Sequence, residues 1–331
     1  MKILLRAVIG LVTFVTLLVV PTSPAQAATL DAHWLGALDD GNLYHTIRWA
    51  NGYWQTGIGD VRAANNTSIK MYETAGAVVD GELHVLGVDG NGGLWHAIRR
   101  GDGSWTGFTG VFPFAGNPGR VEKVTAGSVG EMLHVVVTSD RGLFHTIRYA
   151  HGGWDQFYPV APTHPSAEPP VEVALAVGPG NWAHLVVLGA DYDVYHRRRH
   201  PIYGTWSPFV SLGVPNWEVV VDVAAAASLG GLHVALITDH PNVNVIQTKV
   251  FHQIRWEDGS WTGWGRVGGE PGVQLMQIGA TAFYDNSAQF TLSGVYGEIY
   301  HTGRRSNGQW TGWGMIYNRS FGGTVALAGE W

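Results

Sequence analysis

A hexapeptide that occurs six times constrains this chain more than any other feature. Leu43-Tyr44-His45-Thr46-Ile47-Arg48 recurs as Leu94-Trp95-His96-Ala97-Ile98-Arg99 and as Leu143-Phe144-His145-Thr146-Ile147-Arg148. Val194-Tyr195-His196-Arg197-Arg198-Arg199, Val250-Phe251-His252-Gln253-Ile254-Arg255 and Ile299-Tyr300-His301-Thr302-Gly303-Arg304 complete the series. Successive histidines lie 51, 49, 51, 56 and 49 residues apart. Each is followed, nine or ten places on, by Trp54, Trp105, Trp154, Trp206, Trp261 or Trp310. A fixed period of this length means one supersecondary unit stacked on copies of itself, either a helical solenoid or the blades of a β-propeller.

Local patterning selects the propeller. Leu133–Thr138 and Leu232–Ile237 are short, β-branched and apolar at nearly every position, as expected of strands covered on both faces. Asn51-Gly52, Asp102-Gly103, Asp258-Gly259 and Asn307-Gly308 mark turns between them. No window offers a long amphipathic helix. Each unit therefore reads as four strands. In the third, strand A covers Val121–Ala126, B covers Leu133–Thr138, C covers Leu143–Tyr149, and D starts at Trp154. A second histidine precedes strand C in five units, at His33, His84, His134, His184 and His233, with Gln289 in the sixth. The symmetry of His84 and His96 about Gly90 predicts that the two rings face each other directly across the hairpin.

Spacing also predicts how the ring closes. From the repeat Trp to the next strand-B residue of this series is 30, 29, 30, 27 and 28 residues. The chain after Trp310, joined to the stretch from Ala28 to His33, supplies a similar length, so Thr324–Ala328 is expected to be strand A of the first blade. The expected fold is all-β: a six-bladed β-propeller of four-stranded antiparallel blades, closed by a C-terminal strand that completes the first blade and leaves no open central seam. The Pro-rich stretch from Pro159 to Pro170 does not change the spacing and reads as an inter-blade connection. Residues 28–331 are expected to form one domain.

Composition narrows the functional classes. With 45% apolar and 14% charged residues the chain can bury a core. The absence of Cys excludes disulfides, thiolate metal sites and a Cys nucleophile. Residues 1–27 read as a secretory signal peptide: Lys2 and Arg6, an apolar run over 7–20, then Ala25-Gln26-Ala27 as the cleavage signal. That run is short for a membrane span, so a secreted, extracellular protein without membrane insertion is expected. Twenty Lys and Arg stand against 26 Asp and Glu, a net charge of −6. Loss of Lys2 and Arg6 deepens it, which argues against nucleic acid as a partner.

The repeated residues carry the candidate chemistry. On a strand, the aromatic before the His shares a face with the Arg after it, giving pairs such as Trp95 with Arg99. No acid recurs at a fixed offset. The Arg is therefore either stacked on the aromatics or held for a ligand's hydroxyl or carboxylate. The Trp series can fill the wedge between blades or stack on sugar rings. The histidines read as hydrogen-bonded core residues, since a zinc site needs three or four converging ligands, and no metal or cofactor is expected. A repeated pattern lacks the unique acid and base of a catalytic centre, and Glu73, Glu82, Asp193, Glu218, Glu298 and Glu330 are scattered without a local signature, so no catalytic residue is assigned.

The aromatic-His start of strand C, the Gly-x-Trp turn and Trp-Thr-Gly-Trp-Gly opening strand D resemble the repeats of PLL-like bacterial lectin propellers. More loosely, they resemble the six-bladed fucose-specific lectins. The resemblance covers residues 28–331 and implies several shallow sugar sites between adjacent blades. Carried over by position, the ligand-binding candidates are Tyr44, Arg48, Trp54, Trp95, Arg99, Trp105, Phe144, Arg148, Trp154, Phe251, Arg255, Trp261, Tyr300, Arg304 and Trp310. The fourth unit, with three consecutive Arg, departs most from the pattern. The expectation is a non-enzymatic, multivalent glycan binder. A protein-binding propeller would instead show one exposed apolar patch, and a polysaccharide hydrolase would show carboxylates facing each other at the central channel.

Overall fold

The computed structural model describes residues 31–160, 169–215, 218–239, 248–318 and 323–329; the expected signal peptide and the middle of the Pro-rich stretch lie outside them. The described strands form six antiparallel sheets of four. Strand B is Ala32–Leu38, Glu82–Asp89, Met132–Ser139, Trp182–Leu188, Gly231–Asp239 and Ala288–Gly294 in blades 1 to 6. Strand C is Leu43–Arg48, Leu94–Arg99, Gly142–Tyr149, Val194–Arg199, Lys249–Trp256 and Glu298–Arg304. Strand A of blades 2 to 6 is Met71–Val79, Val121–Val129, Glu172–Gly178, Val219–Ser228 and Leu275–Ala282. Blade 1 takes its strand A from the other end of the chain: Gly323–Gly329 pairs with Ala32–Leu38, with Val325 opposite Gly36. The expected fold and closure are both present.

The six A strands converge on one channel, and their sequence suits that crowding. Blade 5 presents Ala224 to Ala227, all buried. A Cβ on Gly279 would lie 3.1 Å from the backbone N of Leu327, so the approach of the closing strand to blade 6 demands a missing side chain. Farther out, each interface fills with apolar residues from both blades. Between blades 4 and 5, Val186, Val194 and Leu236 are buried with Phe251 and Trp261.

Two local expectations require correction. Strand D does not begin as a continuous strand at Trp154. The repeat Trp makes an isolated bridge, Arg148 with Trp154, and ladder pairing resumes only at Tyr158–Pro159. The other blades repeat this, with Gly59–Asp60, Thr109–Gly110, Val210–Ser211, Gly265–Arg266 and Gly314–Asn318 as the outermost strands. The hairpin register is also shifted. His84 lies opposite Ile98, and His96 opposite Leu86. The Asp89 side chain accepts from the N–H groups of Asn91 and Gly93 at 2.8 and 2.9 Å and centres the turn on Asn91 instead of Gly90. The two histidines remain on one face, as diagonal neighbours.

Candidate functional site between blades

Each interface between consecutive blades joins a histidine pair on one side to a Trp and an Arg on the other. Within a blade, the strand-B His Nδ1 meets the strand-C His Nε2: 2.9 Å for His33 with His45, 3.2 Å for His84 with His96 and 3.1 Å for His134 with His145. The pairs His184 with His196 and His233 with His252 lie at 3.0 Å. In blade 6 Gln289 Oε1 takes the same place against His301. At least one ring of each pair must be neutral to accept the N–H of the other. Burial holds His33 down to about 4 and His84 to about 3, and the Arg of the following blade, Arg99 or Arg148, pushes the same way.

The strand-C His then meets the repeat Trp of the next blade edge to face. The contacts run His45 to Trp105, His96 to Trp154, His145 to Trp206, His196 to Trp261, His252 to Trp310 and His301 to Trp54. Centroid separations are 5.3 to 6.2 Å. The repeat Trp therefore has a structural edge, as its wedge-filling reading requires. The aromatic preceding the strand-C His, Trp95 or Phe144 for example, packs into the apolar interface below.

The repeat Arg forms an isolated backbone bridge with the repeat Trp of its own blade and is positioned by the next turn. Gly52, Gly103, Gly152, Gly204, Gly259 and Gly308 all have positive φ, and a Cβ on any of them would meet the guanidinium, at 3.3 Å for Gly52 and 3.1 Å for Gly259. The turn glycine leaves the guanidinium its space. Among the described residues, none of Arg48, Arg99, Arg148, Arg199, Arg255 and Arg304 forms an ion pair, and none lies over an aromatic face. Burial lowers the pKa of all six. These guanidinium groups are half-buried at the clefts.

The fifteen candidates lie on five blades, and the structure adds residues the sequence reading passed over. Blade 4 contributes an equivalent set, Tyr195, Arg199 and Trp206, despite its divergent hexapeptide. The strand-B histidines belong to the same interfaces, and their periodic recurrence was the available signal. Two places before the strand-B His, the position is Glu82 in blade 2, whose carboxylate attracts Arg148 of blade 3. That cleft offers both a donor fork and an acceptor. The same position is Trp182 in blade 4, where an inter-blade cleft of about 260 Å³ also holds His184, Arg198 and Arg255.

Carboxylates do face each other at the central channel. Lys123 Nζ bridges Glu73 and Glu172 at 2.9 and 2.8 Å, and Asp222 lies one blade farther on. Burial raises Glu73 to about 7 and Asp222 well above its ordinary value. Burial opposes the charge on Lys123, but its two partners hold its pKa above normal. The space here is about 80 Å³, and the ammonium occupies its polar focus. Among the described residues no group of three His, Asp or Glu is arranged to hold a metal, and no helix is long and apolar enough to cross a membrane.

By sequence, neither a family model nor a curated protein matches the chain. By structure, it is similar to the six-bladed fungal lectin of Aleuria aurantia, with a TM-score of 0.59 at 14% identity over 85% of this chain and 88% of that one. It is also similar to the BP39L lectin of Burkholderia pseudomallei, with a TM-score of 0.57 at 15% identity over 90% and 88%. An α-L-arabinofuranosidase of Podospora anserina gives 0.50 at 10% identity over 68% and 83%. At such identities the likeness is one of fold, and it falls on the looser of the two resemblances, the six-bladed lectins.

Proposed function

We propose that the protein is a secreted, non-enzymatic, carbohydrate-binding propeller whose sugar sites are the clefts between adjacent blades. The observation that carries this reading is the ring of six half-buried guanidinium groups, each without an ion pair among the described residues and each beside an indole and a histidine pair or, for Arg48, the His301–Gln289 pair. A donor fork on an apolar wall suits vicinal sugar hydroxyls, and the 2–3 cleft adds Glu82 as an acceptor. Repetition around the ring gives weak sites avidity on a polymeric glycan surface. The names of the Aleuria and Burkholderia proteins favour the same class, and the first makes methyl α-fucoside the natural first probe. The channel carboxylates favour a structural role, since Lys123 neutralises two of them and the space between them is a small fraction of a sugar-sized pocket of ~300 Å³.

The test is a broad glycan array followed by calorimetric titration of the strongest class. Binding to a coherent sugar class with several sites per chain is the expected result. A folded protein that stays silent on the array would overturn the reading in favour of a protein-binding propeller, and release of reducing sugar from a polysaccharide would overturn its non-enzymatic part.

A further inference from the structure

The three consecutive arginines of blade 4 are the motif that the repeated site does not absorb, and alternation along the strand separates them. Arg197 is fully buried toward blade 3, 4.5 Å from the Phe209 ring centroid and 5.5 Å from that of Trp206. Arg199 is the repeat Arg of the 3–4 interface, bridged to Trp206. Arg198 shares the face of His196 and points toward blade 5. In other blades its place is held by Ile47, Ile98, Ile147, Ile254 or Gly303.

This substitution puts two guanidinium groups into one cleft. Arg198 lies with its carbon 4.6 Å above the Trp182 ring, and Trp182 is in turn braced by His200 at 5.0 Å. Stacking holds the guanidinium by its face and leaves its N–H edge free. Arg255 stands on the opposite blade, seated over Gly259, with Nη1 3.4 Å from the Trp256 carbonyl. The two cations repel: Arg198 disfavours the charge of Arg255 across the cleft. No ion pair described there neutralises them, although the Asp258 charge favours that of Arg255. Glu257 is the one carboxylate among the described lining residues, and it is exposed at the rim. The nearby Asp258 turns its Oδ1 to Ser260, accepting from N and Oγ at 2.8 and 2.7 Å. Where blade 2 places Glu82 beside its Arg, blade 4 places Trp182.

We infer that the cleft between blades 4 and 5 takes an acidic saccharide, with its carboxylate or sulfate held between Arg198 and Arg255 and its ring against Trp182. This rests on the carbohydrate-binding reading and specialises one of its six clefts. Two guanidinium groups lining one cleft can match the oxygens of such a group, and an anion removes the repulsion between them. The space, about 260 Å³, is near the lower end of small-ligand pockets.

The test is calorimetric titration of the mature protein with methyl β-D-glucuronide, glucose 6-sulfate, methyl β-D-glucoside and methyl α-fucoside. The expected result is that at least one acidic probe binds about tenfold or more tightly than the neutral glucoside, and that added salt weakens it. The carboxylate and sulfate arms decide which anion is preferred. Arg198→Ile, which installs the residue of the sibling blades and preserves their fold, should remove that preference, whereas Arg198→Lys should restore only part of it. Acidic probes binding no better than the glucoside, or an Arg198→Ile protein that keeps the preference, would overturn the inference. If the wild type still binds fucoside in that case, the carbohydrate reading stands alone. If it binds none of the four and is silent on the array, both fall together.

Discussion

Trp54 of blade 1 meets His301 of blade 6 edge to face, with ring centroids 5.4 Å apart and planes at 78°. This contact is the sixth member of the His–Trp series and the one made across the seam where the two ends of the chain share a blade. The same seam holds Gly323–Gly329 against Ala32–Leu38. Trp54→Ala should cost about 2 to 4 kcal/mol, somewhat less than a fully buried Trp truncation, because the ring is half-exposed. Trp54→Phe should cost less than half of that. Chemical unfolding monitored by the remaining Trp fluorescence measures both, and a Trp54→Ala protein as stable as the wild type would deny the contact a closing role.

The arginines should behave in the opposite way. Arg148 makes no ion pair among the described residues, and burial opposes its charge, so Arg148→Ala should change stability by less than about 1 kcal/mol. Its loss should empty one cleft. A donor fork to sugar hydroxyls contributes about 1.5 to 3 kcal/mol, enough to weaken that site more than tenfold. Calorimetric stoichiometry should therefore fall by about one site per chain with the remaining affinity unchanged. An unchanged stoichiometry would show that the Arg ring serves the fold.

Acid should unfold the protein over a narrow range. All eleven cleft histidines described have folded pKa values lowered from 6.5, to about 4 for His33 and His134 and about 3 for His84, His184, His233 and His301. Below pH 6.5 the unfolded chain takes up protons that the native rings refuse, so stability falls with falling pH; at pH 5 this amounts to about 2 kcal/mol per ring. Glu73, raised to about 7, has the opposite sign: it binds its proton earlier in the native state and contributes stability below pH 4.5 that is lost as pH rises through 7. A few histidines outweigh it and approach the 5 to 15 kcal/mol typical of a whole domain. Circular dichroism between pH 7.5 and 4.5 should show a cooperative loss of structure centred between about pH 6.5 and 5. A native spectrum at pH 4.5 would contradict neutral, buried histidine pairs.

The channel can be separated from the clefts by Lys123→Met. Removing the ammonium leaves Glu73 and Glu172 close together and half-screened, at a cost of about 1 to 3 kcal/mol at pH 7. Adding Glu73→Gln to Lys123→Met should recover part of it. Glycan binding should persist in both variants, and its loss would implicate the channel in ligand recognition.

Much of this was legible from periodicity. The spacing of His45, His96 and their equivalents set six units, and the short β-branched runs made them blades. The match between the lengths on either side of the seam predicted the closing strand. What could not be read was local. The Asp89 side chain moves the hairpin centre by one residue and the pairing by two. The repeat Trp interrupts strand D because it turns toward the neighbouring blade. Blade 4 departs most from the pattern in its hexapeptide, although Arg199 and Trp206 occupy the standard places.

The sequence by itself determined the number of blades, the alternation that sends His and Arg to opposite faces of strand C, and the positive-φ turn glycines that accommodate the guanidinium. These depend on strand period and backbone sterics, which act within a few residues. Only the tertiary structure decided that the His pair of one blade and the Trp and Arg of the next form one site, that Lys123 unites Glu73 and Glu172, and that Arg198 faces Arg255. Those neighbours are some fifty residues apart in the chain. Their meeting depends on the twist and packing of whole blades around a common axis, which no local pattern encodes.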